Sequence, residues 1–320
     1  MNQTEIIALG ELLIDFTGRG ERQFEANPGG APANVLAAAA RLGRKTAMVG
    51  KVGTDMFGDL LVDTLRSYGV DVSHVYRTDD AFTTLAFVAL DETGNRQFSF
   101  SRKHSADLQL TADEAIFPEL ETAKIFHCGT LSLTVEPSRS ATLRAMQAAK
   151  DAGVWVSVDP NLREPLWRTA DAARDAIRTV CAQADILKIS DYEAEFLYGT
   201  TVPAEGLRRV CAEFAPKLAF LTCGADGAYL AQGETLLHEP CVPVHTIDTT
   251  GAGDSFVGAA LSFLLDHRLT PGALTEADCR ALLRFASAAA SLTTTRRGGI
   301  PAMPTRAEVA ALLHEDASVS

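Results

Sequence analysis

The chain has 320 residues, with 29 Lys and Arg against 41 Asp and Glu, a formal charge of −12. With 47% hydrophobic and 22% charged residues it has the balance of a globular protein, long enough to bury a core without disulfide or metal staples. So acidic a chain is excluded as a general nucleic-acid binder, which must neutralise phosphates with Lys and Arg, although a local basic pocket remains possible.

Short apolar runs alternate with amphipathic stretches. Ile6–Leu9 predicts a strand ending at Gly10, and Pro32–Leu42 a helix that opens on Pro32 and stops at Gly43. Thr46–Val52 predicts a strand. Asp55–Tyr68 predicts a helix, with Phe57, Leu60, Leu61, Leu65 and Tyr68 at helical spacing. Strands follow over Ile125–Cys128, Val154–Val158, Ile186–Ile189 and Leu218–Thr222, with a helix over Ser138–Asp151. Helices over Ala252–Leu265, Ala277–Leu292 and Arg306–His314 close the chain. This rhythm predicts an α/β fold, a mostly parallel sheet with helices on both faces.

Two segments break the rhythm. Leu12–Ala26 is extended around a Gly18–Gly20 turn, and Thr83–Arg102 is a hairpin turning over Asp91–Asn95, with Phe98 and Phe100 in alternation. With no helix between their strands, these segments (about 12–28 and 83–102) predict a small β-sheet lid, an edge extension of the main sheet being the alternative. Without repeats or a low-complexity linker, 1–320 reads as one domain. Cys128, Cys181, Cys211, Cys223, Cys241 and Cys279 form no CxxC pair, which argues against a zinc knuckle and for buried thiols in a reducing compartment. The N-terminus has no basic n-region, and no apolar run reaches the roughly 20 residues of a bilayer span. A cytoplasmic protein with neither membrane nor nucleic-acid partner is expected.

The chemistry concentrates in Asp248-Thr249-Thr250-Gly251-Ala252-Gly253-Asp254. A strand over Cys241–Ile247 is expected to feed this turn, which opens a helix. The amides of Gly251, Ala252 and Gly253 then converge on one point at the positive end of the helix dipole, an anion site. Asp254, in the first turn, suits a base that deprotonates an attacking hydroxyl. An aspartate there also suits a helix cap, and both readings stand. The turn is neither a Walker A loop nor a dinucleotide fingerprint, since a third glycine is missing.

Asp248–Leu261 (DTTGAGDSFVGAAL), with Gly29-Gly30-Ala31-Pro32-Ala33-Asn34 and Gly50-Lys51-Val52-Gly53-Thr54-Asp55-Met56-Phe57-Gly58, resembles the signatures of the ribokinase-like (PfkB) carbohydrate kinases. The likeness runs from Ile6 to Pro304. Phe126–Leu133, Glu136–Arg139 and Asp159–Trp167 make it most similar to the bacterial fructokinases of that family. The resemblance implies an ATP-dependent kinase acting on a sugar primary hydroxyl, with D-fructose converted to fructose 6-phosphate. Lys103-His104 stands where fructokinases often carry Asn-Pro, so 2-keto-3-deoxygluconate and ribose remain alternatives. A non-catalytic sugar sensor on the same scaffold is the alternative of another class.

The resemblance also assigns residues. Asp15, Gly29, Gly30, Asn34, Arg163 and Asp254 would bind sugar. Asp254, Arg163 and the Gly251, Ala252 and Gly253 amides would catalyse. Arg102 and Lys103 follow the second lid strand, within reach of a substrate. ATP would meet Lys188, Glu193, Thr222, Gly224, Gly227, Gly251 and Gly253. Asp248, Thr250 and the Gly298 carbonyl would hold a monovalent cation, K+. Mg2+ would reach Glu193 through water, although Ser190-Asp191-Tyr192-Glu193 is also a helix capping box. A homodimer through the lid sheet is expected, because its edges and apolar face need cover.

Overall fold

The computed structural model describes residues 3–18, 23–90 and 96–319. The expected turns over Gly18–Gly20 and Asp91–Asn95 fall wholly or partly outside these residues, as does the side chain of Phe98. The first half of the chain folds as β1 (Ile6–Leu9), β2 (Leu13–Gly18), β3 (Phe24–Gly29), α1 (Ala31–Arg41), β4 (Thr46–Gly53), α2 (Met56–Ser67), β5 (Val70–Thr78), β6 (Thr84–Leu90), β7 (Arg96–Ser101), β8 (Ile125–Cys128) and α3 (Ser138–Asp151). The second half adds β9 (Trp155–Val158), α4 (Ala170–Cys181), β10 (Ile186–Ser190), α5 (Asp191–Tyr198), α6 (Pro203–Phe214), β11 (Leu218–Thr222), β12 (Ala228–Gln232), β13 (Thr235–Glu239), α7 (Ala252–Asp266), α8 (Glu276–Thr294) and α9 (Arg306–Val319).

Nine strands form the main sheet in the order β13-β12-β11-β10-β9-β8-β1-β4-β5. The strands from β11 to β5 run parallel, and β12 and β13 add an antiparallel edge. Strand alternation divides the interior in two. Ile6 and Ala8 of β1 join the core under α1, α2, α7 and α8, whereas Ile7 and Leu9 join the core under α3, α4, α5 and α6. The fold is the ribokinase-like α/β architecture, with its functional residues at the carboxyl ends of the parallel strands.

β3, β2, β6 and β7 make the second, four-stranded sheet, separate from the first. β2 pairs with β6 in parallel, and β3 and β7 are antiparallel edges. Leu13, Asp15, Thr17, Val88 and Phe100 turn to the pocket described below. Phe16 and Phe87 stack on the opposite face, 5.2 Å between centroids, with Phe57 of α2 edge-on to Phe16 at 5.6 Å. Phe87 and Phe100 therefore lie on opposite faces, so both faces carry aromatic surface.

One expected element is absent. Residues 241–247 are not a strand. Pro240 and Pro243 lack the N–H groups a ladder needs. The segment instead runs beside α8, where the Ile247 and Asp248 amides donate to the Thr294 carbonyl at 2.7 and 3.1 Å. Its apolar residues line a cavity rather than pair in a sheet.

Candidate active site

α1 and α7 meet at their N-termini, and that meeting builds the site. α7 is buried from Asp254 to Leu264, which its nearly uniform apolar composition permits. Gly258 allows the close approach to α1: a Cβ there would lie 2.6 Å from the Val35 carbonyl oxygen. Gly251 caps α7 at φ 78, a left-handed conformation suited to glycine. Asp254 is in the first turn of α7, and among the described residues no helix amide donates to its carboxylate.

Two carboxamides hold the Asp254 carboxylate from different parts of the chain. Asn34 Nδ2 of α1 donates to Oδ2 at 2.8 Å, and Asn161 Nδ2, beyond β9, donates to Oδ1 at 3.1 Å. Burial, then the charge of Asp159, push the Asp254 carboxyl up to about 6, against the opposing effects of Asn34, Lys188 and Arg163. A carboxyl so placed is ionised at neutral pH and still basic enough to take a proton.

Lys188 lies on β10, buried, with Nζ 3.0 Å from Asp159 Oδ2. Burial works against its charge, but Asp159, Glu193 and Asp254 outweigh it and the ammonium pKa is raised. A Cβ at Gly253 would come 3.3 Å from Lys188 Nζ, so the glycine leaves room for the ammonium beside the α7 N-terminus. Arg163 is half-exposed on the loop after β9.

Two cavities meet at this corner. The first, about 280 Å³, lies between main sheet and lid and is lined by Asp15, Gly30, Asn34, Arg163, Lys188, Glu193, Gly251 and Asp254, among others. The second, about 740 Å³, is lined by Thr222, Gly224, Gly227, Val242, Val244, Ala252, Phe256 and Ala290. Thr249 and Gly253 line both. Gly29 is next to the first: a Cβ there would be 3.0 Å from Asp15 Oδ2. Lys188 and Glu193, expected on the nucleotide side, line the first cavity. Gly227, at φ 92, has no space for a Cβ, which would lie 2.2 Å from the Glu239 carbonyl oxygen.

Glu193 is committed to structure. Its Oε2 accepts from the Ser190 amide and hydroxyl at 2.8 and 2.9 Å, closing the capping box of α5, and Oε1 accepts from the Leu162 amide at 2.7 Å. It thus pins the loop that carries Asn161 and Arg163. Asp248 gathers the expected cation ligands: the Thr250 amide and hydroxyl donate to Oδ1, and the Gly298 amide donates to Oδ2 at 3.1 Å. Arg102 is turned away from the first cavity, paired with Asp107 at 2.6 Å, and Lys103 lines a different cavity.

One site residue was not singled out from sequence. Glu11 is buried against the first cavity, its Oε1 accepting from the Ala31 amide at 2.9 Å. Burial pushes its carboxyl up to about 7, against the charge of Arg102. No local pattern marks it. Asn161, read from sequence with Asp159 as orienting this loop, has φ 49, which the Asp-Pro-Asn turn signal hints at, but its partner Asp254 is not evident from sequence.

The pfkB family carbohydrate kinase model matches residues 3–306. The chain is 42% identical to a probable fructokinase-2 of Arabidopsis thaliana over 320 residues, 98% of this chain and 96% of that protein. It is 42% identical to fructokinase-1 of Zea mays over 318 residues, 97% of this chain and 98% of that one. Among solved structures, a fructokinase with bound ATP from Xylella fastidiosa superposes with a TM-score of 0.90 at 33% identity, covering 99% of this chain and 100% of that chain. A fructokinase from Vibrio cholerae O395 in fructose, ADP and calcium ion bound form gives 0.89 at 34% identity, covering 97% and 99%. The chain therefore belongs to the pfkB family of carbohydrate kinases and is an ATP-dependent sugar kinase.

Proposed function

We propose that the chain, working as one domain over 1–320, transfers the γ-phosphoryl group of ATP to the primary hydroxyl of D-fructose, giving fructose 6-phosphate. The observation that carries this reading is the junction of a sugar-sized pocket and a larger, mainly apolar cavity at Thr249 and Gly253, with Asp254 beside it. Fructose binding is known for the Vibrio cholerae neighbour and ATP binding for the Xylella fastidiosa one.

In this reading Asp15, Asn34 and the Gly29–Gly30 backbone grip sugar hydroxyls. The buried Asn34 Oδ1 has no partner among the described residues and suits a hydroxyl donor. Asp254 accepts the proton of the attacking hydroxyl. The Gly251, Ala252 and Gly253 amides, with Arg163 and Lys188, hold the charge on the transferring group. The lid excludes water that would otherwise compete for it. Thr222, Gly224 and Gly227 border the nucleotide, which packs on Val242, Val244 and Ala290. Mg2+ would neutralise the nucleotide phosphates when bound, and Glu193, whose oxygens already accept from Ser190 and Leu162, would meet it through water. Asp248, Thr250 and the Gly298 carbonyl would hold K+, the Asp248 carboxylate already drawing the Thr250 and Gly298 backbone to it.

We also assign a homodimer through the lid, because Phe24 and Met56 remain 50% and 73% exposed beside it. A cytoplasmic setting agrees with the six free thiols. Among the described residues no helix is long and apolar enough to cross a membrane.

The test is ADP release with fructose, ribose and 2-keto-3-deoxygluconate, with and without K+, beside light scattering for the dimer. Fructose should give the highest kcat/KM. Higher efficiency with ribose or the sugar acid rejects the substrate assignment, and sugar binding with no ADP released from any of them points to a sensor.

A further inference from the structure

A second polar cavity, of about 750 Å³, opens behind the walls of the sugar pocket. Leu108, Val135, Pro137 and Leu166 give it an apolar floor. Its rim is cationic. Lys103, His104 and Arg168 are exposed there, and none has a side-chain hydrogen bond or ion pair among the described residues. His104 has φ 59, a left-handed backbone uncommon for a residue with a Cβ. Arg102 also lines the cavity, but Asp107 neutralises it. Glu136 is the opposing carboxylate, accepting from the Ser140 amide at 3.1 Å, and it offsets one of the two permanent positive charges of Lys103 and Arg168. The cavity thus keeps a net positive lining on a chain of net charge −12.

We propose that this cavity binds a phosphomonoester dianion, and that its occupancy tightens the sugar pocket. A guanidinium and an ammonium lining one cavity suit a dianion with several acceptor oxygens. The volume accommodates a phosphate carrying a sugar-sized body. The coupling follows from shared walls, and it rests on the adjoining pocket being the sugar site. Phe100 lines both cavities. Leu131 faces the sugar pocket while Thr134 and Val135 of the same loop face the cationic cavity. Arg163 faces the sugar pocket while Leu166 and Arg168 face the other side. Arg102 joins two of these walls, donating to Thr134 Oγ1 at 3.1 Å and to the Leu131 carbonyl at 3.0 Å. An anion bridging Lys103 and Arg168 ties the end of the lid to the loop that carries Asn161 and Arg163.

The test is calorimetry on the full chain with the active site filled by fructose and a non-hydrolysable ATP analogue. Inorganic phosphate and fructose 6-phosphate are titrated separately, which distinguishes recognition of phosphate alone from recognition of the sugar phosphate. One remaining site is expected in the wild type and none in Lys103→Ala/Arg168→Ala. Both side chains are exposed and outside the sugar and nucleotide cavities, so basal turnover without added anion should be unchanged. With the anion bound, the fructose KM should fall at least about fivefold in the wild type and not in the variant. Absence of a site in the wild type, or equal binding by the variant, overturns the assignment, and binding without a KM change overturns the coupling. Neither result touches the kinase reading, which ADP release tests by itself.

Discussion

Replacing Asp254 by Asn should separate catalysis from stability in opposite directions. The carboxyl sits at about 6 in the fold against an ordinary 3.8. Because the folded protein binds this proton more tightly than the unfolded chain, the group favours folding most at low pH. That advantage is lost as pH rises through the interval from 3.8 to about 6. Above it, the buried charge costs about 3 kcal/mol relative to a neutral group. Asn removes the charge and keeps the volume. Its new NH2 group faces either Asn34 Nδ2 or Asn161 Nδ2, but Asn34 carries an unpartnered Oδ1 and can turn its carboxamide to accept. Asp254→Asn should therefore melt at or above the wild-type temperature at pH 8, with the margin shrinking towards pH 4. Turnover should fall by about 10²–10⁴-fold, the usual worth of a general base. Wild-type kcat/KM should fall tenfold per pH unit below about 6, and the variant's residual rate should lack that limb. The checks are a coupled ADP assay across pH and thermal melts of both proteins. Near wild-type turnover in a folded variant refutes the base assignment. A large drop in melting temperature at pH 8 refutes the electrostatic argument.

Asn161→Gly keeps the left-handed backbone and deletes the amide donor to Asp254, so kcat should drop roughly 10- to 100-fold. The acid limb should also move to higher pH, because losing a donor to the carboxylate raises its pKa, and a pH–rate profile shows this directly. Gly258→Ala places a methyl 2.6 Å from the Val35 carbonyl oxygen, where backbone must move. The strain should cost about 1–3 kcal/mol, read as a lower melting temperature. Ala290→Phe fills part of the 740 Å³ cavity. It should raise the ATP KM on the order of tenfold while sugar affinity by calorimetry stays constant.

Much of the architecture is written in local pattern. The glycine-rich turn at 248–254 and the apolar strands opening on Gly10, Gly129 and Ser190 follow from residue spacing, because backbone geometry at such sites is a local property. The edges were less legible. β5, β12 and β13 carry polar residues on a solvated side, and α4, α5 and α6 have caps or apolar stripes that compete with turn-like composition. The run 241–247 shows the converse error: apolar alternation arises equally from lining a cavity, and two prolines decided against a ladder.

Residue type and order along the chain were enough to identify a glycine-rich turn that opens a helix, a carboxylate beside it and a two-faced parallel sheet. What surrounds that carboxylate was decided by packing between segments far apart in the chain. Asn34 and Asn161 reach Asp254 from 220 and 93 residues away in sequence, Glu193 is spent on fastening a loop, and Glu11 enters the pocket unannounced. Such outcomes depend on burial and on side chains meeting across elements. Those are properties of the folded volume, and a linear pattern carries no record of them.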